Sequence, residues 1–314
     1  MQSRELIKAF EQAGRRIEIV GTPDNGALVA LDVEGRIFAF MDGVVLNRVN
    51  EAAIAGISTH DGYINPGGDG FWPAPEGSSM GYEYATGAWR VPSGLTNARY
   101  QVKAQTACTA LVSAEVDLIN AAGLGMPFIF SRDIAVSCRQ GTLAVTIAEG
   151  IEYIGTKELD RTQAIIAPWS LCQFDCGAEC TLRLPDVQSS EIWDLYADDS
   201  SCHRHNDGKA WNVDMVTDFR FQLGLSPKIN WLEFEDRGRG FAVHRSAARL
   251  ADGLDYIDIG DRDFTAPCNG APCRFSAYCD PSGFMEIEAA GGAPATLAKG
   301  AKTVLVVTTQ YRKI

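Results

Sequence analysis

The chain has 314 residues, 46% of them hydrophobic and 22% charged, with a formal net charge of −12 and a pI near 4.8. That acidity argues against nucleic acid and anionic membrane surfaces as partners, and no apolar run approaches the roughly 18–20 residues that span a bilayer. The length suits one or two domains, or one large all-β unit with a substantial core.

Residues 1–15 predict a short amphipathic helix, with Ser3 as N-cap, Leu6, Ile7 and Phe10 as its apolar stripe and Gly14 as its stop. Acids interrupt this segment and it has no apolar h-region, so it is no signal peptide, and cytoplasmic residence is the default. From residue 16 the pattern is β almost throughout. Arg16–Thr22, Gly26–Asp32, Arg36–Met41 and Val44–Val49 read as short strands, with Asp42-Gly43 as a hairpin-type turn. Glu51–Ala55 is weakly helical.

Residues 60–77, from His60 to Gly77, are dense in glycine and proline, which forbids a helix and interrupts any strand. Tyr63, Phe71 and Trp72 are too large and apolar for an ordinary solvated loop. Aromatic faces beside Asp69 and Glu76 suit a sugar: the rings cover C–H surface and the carboxylates accept hydroxyl hydrogen bonds. The same residues equally suit a loop pinned to the body by its aromatics.

Strand patterns then recur about every ten residues, from Tyr100–Cys108 and Thr109–Ile119 to Gly283–Ala289 and Lys302–Gln310. Ala247–Leu250 is weakly helical. Nothing divides this stretch in composition, so the simplest organisation is a helix over 1–15 and a single β domain, a sandwich or barrel, over 16–314.

Nine cysteines cannot all pair within one chain, and reduced thiols are expected. Cys172, Cys176 and Cys180 are spaced by four, and Cys268 and Cys273 flank a Pro/Gly turn; structural zinc usually shows tighter pairs. The acidic stretch Asp255, Asp258, Asp261 and Asp263 can offer oxygens to calcium, or form a solvated turn. Nucleophile-elbow, Walker A and His-Glu-x-x-His motifs are absent. Any chemistry then falls to carboxylates, arginines and one of four histidines, His60, His203, His205 or His244.

Several segments in consistent order from about residue 16 to 310 resemble the galactose mutarotase-like superfamily, and within it a bacterial family of unassigned function. They are Glu34-Gly35-Arg36-Ile37, the stretch Gly67-Gly68-Asp69-Gly70-Phe71-Trp72-Pro73-Ala74-Pro75-Glu76, Phe130-Ser131-Arg132-Asp133-Ile134, Ala167-Pro168-Trp169-Ser170, Phe221–Leu225 and Met285–Ala289. The resemblance implies an all-β fold, a large antiparallel β-supersandwich with a face that binds carbohydrate. It also implies an aldose 1-epimerase chemistry, in which a Glu base and a His acid open and reclose the sugar ring without a metal or other cofactor.

Carried over, the base is Glu286 or Glu288, which share one face of a strand; a solvated face is their alternative. The acid is one of His203 and His205, in the polar run 197–209, His60 beside the Gly/Pro stretch, and His244 after an alternating strand, and no spacing chooses among them. Arg36 and Arg132 donate to sugar oxygens or close salt bridges at a sheet end. Asp69 and Glu76 accept from hydroxyls, while Trp72 and Trp169 stack on the sugar or, for Trp169, sit in the core. A binding module without the acid–base pair, and a polysaccharide lyase or hydrolase, are the alternative functions. A histidine reaching the cleft separates isomerase from binding module. The partner is a carbohydrate, and the oligomeric state is left open.

Overall fold

The computed structural model describes residues 1–59, 61–76, 85–195, 199–216, 219–260 and 271–314. His60, Tyr82, Tyr84, Asp261, Asp263 and Cys268 lie outside the described residues. Among those described, two ten-stranded antiparallel sheets dominate. The first runs in the order Ile17–Gly21, Gly26–Ala30, Arg36–Met41, Asp69–Ala74, Ala167–Asp175, Phe284–Ala290, Phe275–Asp280, Phe221–Leu225 and Ile192–Asp194, with Val44–Val45 paired to Arg36–Met41. The second runs Arg204–Asn206, Ala210–Asp214, Cys180–Pro185, Trp231–Asp236, Phe241–Ala247, Lys302–Lys313, Thr142–Tyr153, Gly125–Arg139, Thr109–Ile119 and Gln101–Gln105. This is a β-sandwich.

The core forms where the two sheets face each other. Ile37, Phe71, Phe174, Met285, Ile287 and Leu223 of the first sheet meet Phe128, Phe130, Ile147, Val243, Leu305 and Tyr311 of the second. Period-2 alternation sends every other residue of the first sheet to its opposite face. That outer face carries Arg36, Trp72, Gln173, Glu286, Glu288 and Gln222.

The N-terminal helix spans Ser3–Gln12 and buries Leu6 and Phe10 against Leu28, Phe38 and Phe40. Ser3 lies inside the helix and Gln2 takes the N-cap position. The Glu5 carboxylate accepts from the Gln2 amide at 2.8 Å, which satisfies the cap, and the Ser3 hydroxyl donates instead to the Pro23 carbonyl at 2.5 Å. Ala247 ends a strand, and no helix follows it at 248–250.

The glycine- and proline-rich stretch differs from expectation. Asp69–Ala74 is a strand in the first sheet, paired along its length with Ala167–Asp175, with Pro73 opposite Pro168. It tolerates proline because its other neighbour, Arg36–Met41, pairs with it only at Ile37 and Asp69. Beyond Gly70 that side is an edge, where a missing N–H breaks no ladder bond.

Gly67 and Gly68 turn the chain into this strand at φ +80° and +71°. A Cβ on Gly67 would stand 2.3 Å from the Arg48 carbonyl oxygen, and that backbone cannot retreat, because Gly68 N–H donates to the same oxygen. Gly67→Ala is therefore expected to cost about 1–3 kcal/mol or more, read as a lowered unfolding midpoint in urea.

Candidate functional site

A cavity of about 480 Å³ opens on the outer face of the first sheet, across its central strands. Its volume lies in the range of small-molecule sites. Three indoles (Trp72, Trp89 and Trp169) and the rings of Tyr63, Tyr278 and Phe284 supply apolar walls. Tyr63 meets Trp72 edge-on, with ring centroids 6.0 Å apart. The polar lining comes from Glu76, Asp280, Glu286 and Glu288, from the amides Asn65, Gln173 and Gln222, and from Arg36 and Arg220.

Glu286 and Glu288 form the centre of this polar set. They are two apart on Phe284–Ala290, a strand with a neighbour on either side, so both project outward into the cavity. Both are buried, Glu288 completely. Gln173 Nε2 donates to Glu286 Oε1 at 2.5 Å and to Asn65 Oδ1 at 3.0 Å. Trp169 Nε1 donates to Glu288 Oε2 at 3.1 Å, and Gln222 Nε2 reaches both Glu288 oxygens at 3.3 and 3.1 Å.

Burial raises the pKa of Glu286, with Arg36 opposing it. Burial raises that of Glu288 well above the ordinary value, and the neighbouring Glu286 charge adds to the rise. Two neighbouring carboxylates in a buried site cannot both ionise cheaply, so the charge of Glu286 works against ionisation of Glu288.

Because both folded-state values lie above those of the unfolded chain, their contribution to stability is complete below the usual glutamate range. It is lost as pH rises through the raised values. Each unit of upward shift is worth about 1.4 kcal/mol. The melting temperature is expected to fall from pH 5 toward pH 9, and Glu288→Gln, isosteric and uncharged, should flatten that fall in a thermal melt series.

Around this pair the other groups are held in place. Arg36 is buried and bonds Glu34 Oε2 at 2.9 Å and Tyr63 OH at 2.8 Å, while Tyr63 OH donates to the same Glu34 oxygen at 3.1 Å. Tyr278 OH donates to Asp280 at 2.5 Å, and the Arg220 guanidinium stands 5.6 Å from the Tyr278 ring centre. Burial works against the Asp280 charge, yet bonds from Ser282 and Tyr278 hold its pKa low. Trp89 Nε1 donates to Glu76 Oε1 at 2.6 Å. Trp72 Nε1 is buried and has no hydrogen-bond partner among the described residues, which leaves a donor for a ligand.

Of the residues singled out from sequence, the cavity brings together Arg36, Trp72, Glu76, Trp169, Glu286 and Glu288. Trp169 is both core-like and at the site: only 2% exposed, it still lines the cavity through its bond to Glu288.

Asp69 and Arg132 do not line the cavity. Asp69 shares the inward face of its strand with Phe71. There it accepts from Arg245 Nη1 at 2.8 Å, Ser170 Oγ at 3.1 Å and Arg132 Nη2 at 3.4 Å. Arg132 also donates to Glu149 at 2.6 Å. Two guanidiniums and two carboxylates thus bridge the sheets inside the sandwich.

His203 and His205 are not at the cavity either. His203 stacks on Phe221, ring centroids 5.9 Å apart, on the strand face opposite Gln222. His205 is exposed on Arg204–Asn206, the edge strand of the second sheet. His244 packs on Trp231, also away from the cavity. No histidine among the described residues lines it.

Gln173, Gln222 and Tyr278 were not singled out from sequence. The available signal was a lone amide within an apolar strand, Gln173 in Ala167–Asp175 and Gln222 in Phe221–Leu225. Among the described residues no cluster of three or more His, Cys, Asp or Glu could hold a metal ion, and no helix is long and apolar enough to cross a membrane.

No protein-family model and no curated protein matches the sequence. Solved structures do match. The Slr1438 protein of Synechocystis sp. PCC 6803 is 13% identical over 95% of this chain and 96% of its own, with a TM-score of 0.60. A candidate aldose 1-epimerase of Escherichia coli K12 is 13% identical over 96% and 100%, with a TM-score of 0.58. A galactose mutarotase-like protein of Lactobacillus casei is 11% identical over 95% and 100%, with a TM-score of 0.55. The fold of this chain is that of the galactose mutarotase-like proteins.

Proposed function

With that fold as the premise, we propose that the cavity binds an uncharged sugar and that Glu286 and Glu288 interconvert its anomers as base and acid. The observation that carries this reading is the pair of buried glutamates side by side on one strand face beneath a wall of indoles. The rings suit the C–H faces of a pyranose, and the amides and carboxylates suit its hydroxyls. Four lining carboxylates against two arginines disfavour a uronate or another anionic ligand.

Glu286, the less perturbed of the two, takes the proton of the anomeric hydroxyl. Glu288, the more strongly raised, gives its proton to the ring oxygen. The ring C–O bond breaks as the carbonyl forms, the open chain turns about its C1–C2 bond, and closure on the other carbonyl face returns both protons. A glutamate raised toward neutrality serves as the acid that a histidine would otherwise be.

The lack of a cavity-lining histidine among the described residues favours a second reading, binding without turnover. One experiment separates the two. Glucose, galactose and related sugars are offered to the protein, anomer exchange is followed by NMR, and binding is followed by indole fluorescence. Exchange faster than in buffer for at least one sugar supports the isomerase. Fluorescence change without faster exchange leaves the binding module, and no response to any sugar removes both.

A further inference from the structure

The three cysteines spaced by four do not converge. Cys172 faces the core, near Asn47 and Tyr311, and Cys180 is buried at the start of a strand of the second sheet. Cys176 turns instead toward a thiol distant in sequence. It follows the end of Ala167–Asp175, and its Sγ lies 4.0 Å from Sγ of Cys279, on Phe275–Asp280. The two strands flank Phe284–Ala290, and the Cys176 amide donates to the Gly283 carbonyl at 3.1 Å in the turn beyond it.

We propose that Cys176 and Cys279 are a modification site, a thiol pair that a small hydroperoxide converts to an internal disulfide. The two thiols divide the roles. Cys176 is partly exposed while Cys279 is fully buried, so the oxidant reaches Cys176 first. The contact with Cys279 lowers the Cys176 thiol against the opposing effect of burial, which favours the reactive thiolate there. The same contact and burial raise the Cys279 thiol, whose S–H donates to the Val216 carbonyl at 2.6 Å, so that Cys279 is the resolving thiol. Cys180, the other nearby thiol, is pushed up to about 12 by burial and stays protonated.

The Cys176 thiolate attacks one peroxide oxygen, the O–O bond breaks, and hydroxide or alkoxide leaves with the electron pair. Sulfur is oxidised to the sulfenic acid and peroxide oxygen is reduced. Cys279 then loses its proton to the departing base and attacks the Cys176 sulfur. The S–S bond forms and the sulfenic oxygen leaves as hydroxide, which takes up the proton that Cys176 released on becoming a thiolate and gives water. Two thiols and one hydroperoxide give one disulfide, one water and the reduced alcohol, or two waters from hydrogen peroxide.

Closing from 4.0 Å to bonding distance requires the sulfurs to approach by about 2 Å. Residues 176–179 follow the strand end in a turn that exposes Ala178 and Glu179, and the approach requires this turn to shift.

The test treats the reduced full chain with graded hydrogen peroxide, blocks remaining thiols under denaturing conditions, and maps the peptides by mass. The expected result is one cross-linked pair joining the Cys176 and Cys279 peptides, two hydrogens lighter than the separate peptides and cleaved by dithiothreitol. In Cys279→Ser, Cys176 should instead be trapped by dimedone as the sulfenic acid. In Cys176→Ser, Cys279 should stay reduced at doses that oxidise the exposed Cys108, Cys138 and Cys202. The proposal is overturned if both thiols stay blockable in the wild type at those doses, if Cys176 links to Cys180, or if its sulfenic acid accumulates with Cys279 intact.

Discussion

Glu286→Gln is expected to slow anomer exchange by about 10²–10⁴-fold while leaving sugar affinity within about tenfold, since that range is what a positioned acid or base typically contributes. Glutamine keeps the length of the side chain and can still present an oxygen to Gln173 Nε2, now 2.5 Å from Glu286 Oε1. It cannot accept the anomeric proton. Glu288→Gln should give a loss of similar size for the opposite reason: the amide cannot deliver a proton to the ring oxygen with the ease of a carboxylic acid. The two losses should not add, because each residue is useless without its partner.

The comparison is made by NMR exchange rates at saturating sugar, with indole fluorescence titrations giving affinity separately. An exchange rate in Glu286→Gln equal to wild type would remove the acid–base roles. Equal losses of rate and affinity would instead make the pair part of the binding surface alone.

Asp69→Ala is expected to cost about 3–5 kcal/mol of stability, the usual penalty for stripping one partner from a buried ion cluster. Asp69 accepts from Arg245 at 2.8 Å, with Arg132 3.4 Å away, and both guanidiniums are completely buried. Burial works against the Asp69 charge, but the two arginines outweigh it and hold its pKa low. Without the carboxylate, one guanidinium keeps Glu149 and the other keeps only hydroxyls. Asp69→Asn, which retains an oxygen for Ser170 and Arg245, should lose less. Urea unfolding measures both.

Because Asp69 faces the inter-sheet core, Asp69→Asn should bind sugar as the wild type does. A weakened sugar affinity in a folded Asp69→Asn protein, or a stability loss below about 1 kcal/mol in Asp69→Ala, would contradict this placement.

Much of the β pattern is legible in the sequence. Arg36–Met41 and Glu51–Ala55 fall where alternation and spacing put them, and most other strands differ by a few residues at their ends. Local propensity failed at Asp69–Ala74. Glycine and proline weigh against a strand only where both edges need ladder bonds, and this strand lacks a full neighbour on one side. It failed again at 248–250, where a helix-prone composition leads to no helix.

The candidate site divides along the same line. Glu286 and Glu288 had to share a face because they are two apart on a strand, and that inference needed nothing beyond the chain. The same rule separates Asp69 from Trp72, three apart on one strand, so Trp72 lines the cavity while Asp69 faces the core. A motif reads as one object in sequence, whereas a strand sends alternate members to opposite sides.

The amino-acid order by itself determined the β class, the alternation within each strand and the pairing of the two glutamates on one face, all consequences of short-range backbone geometry. Tertiary structure decided which face became core and which became cavity, because that depends on strands far apart in sequence covering one side of the sheet. It also decided the chemistry of the pair. Trp169 and Gln222 come from other strands to enclose Glu288, and only that enclosure, by removing water, raises the pKa of an ordinary carboxyl.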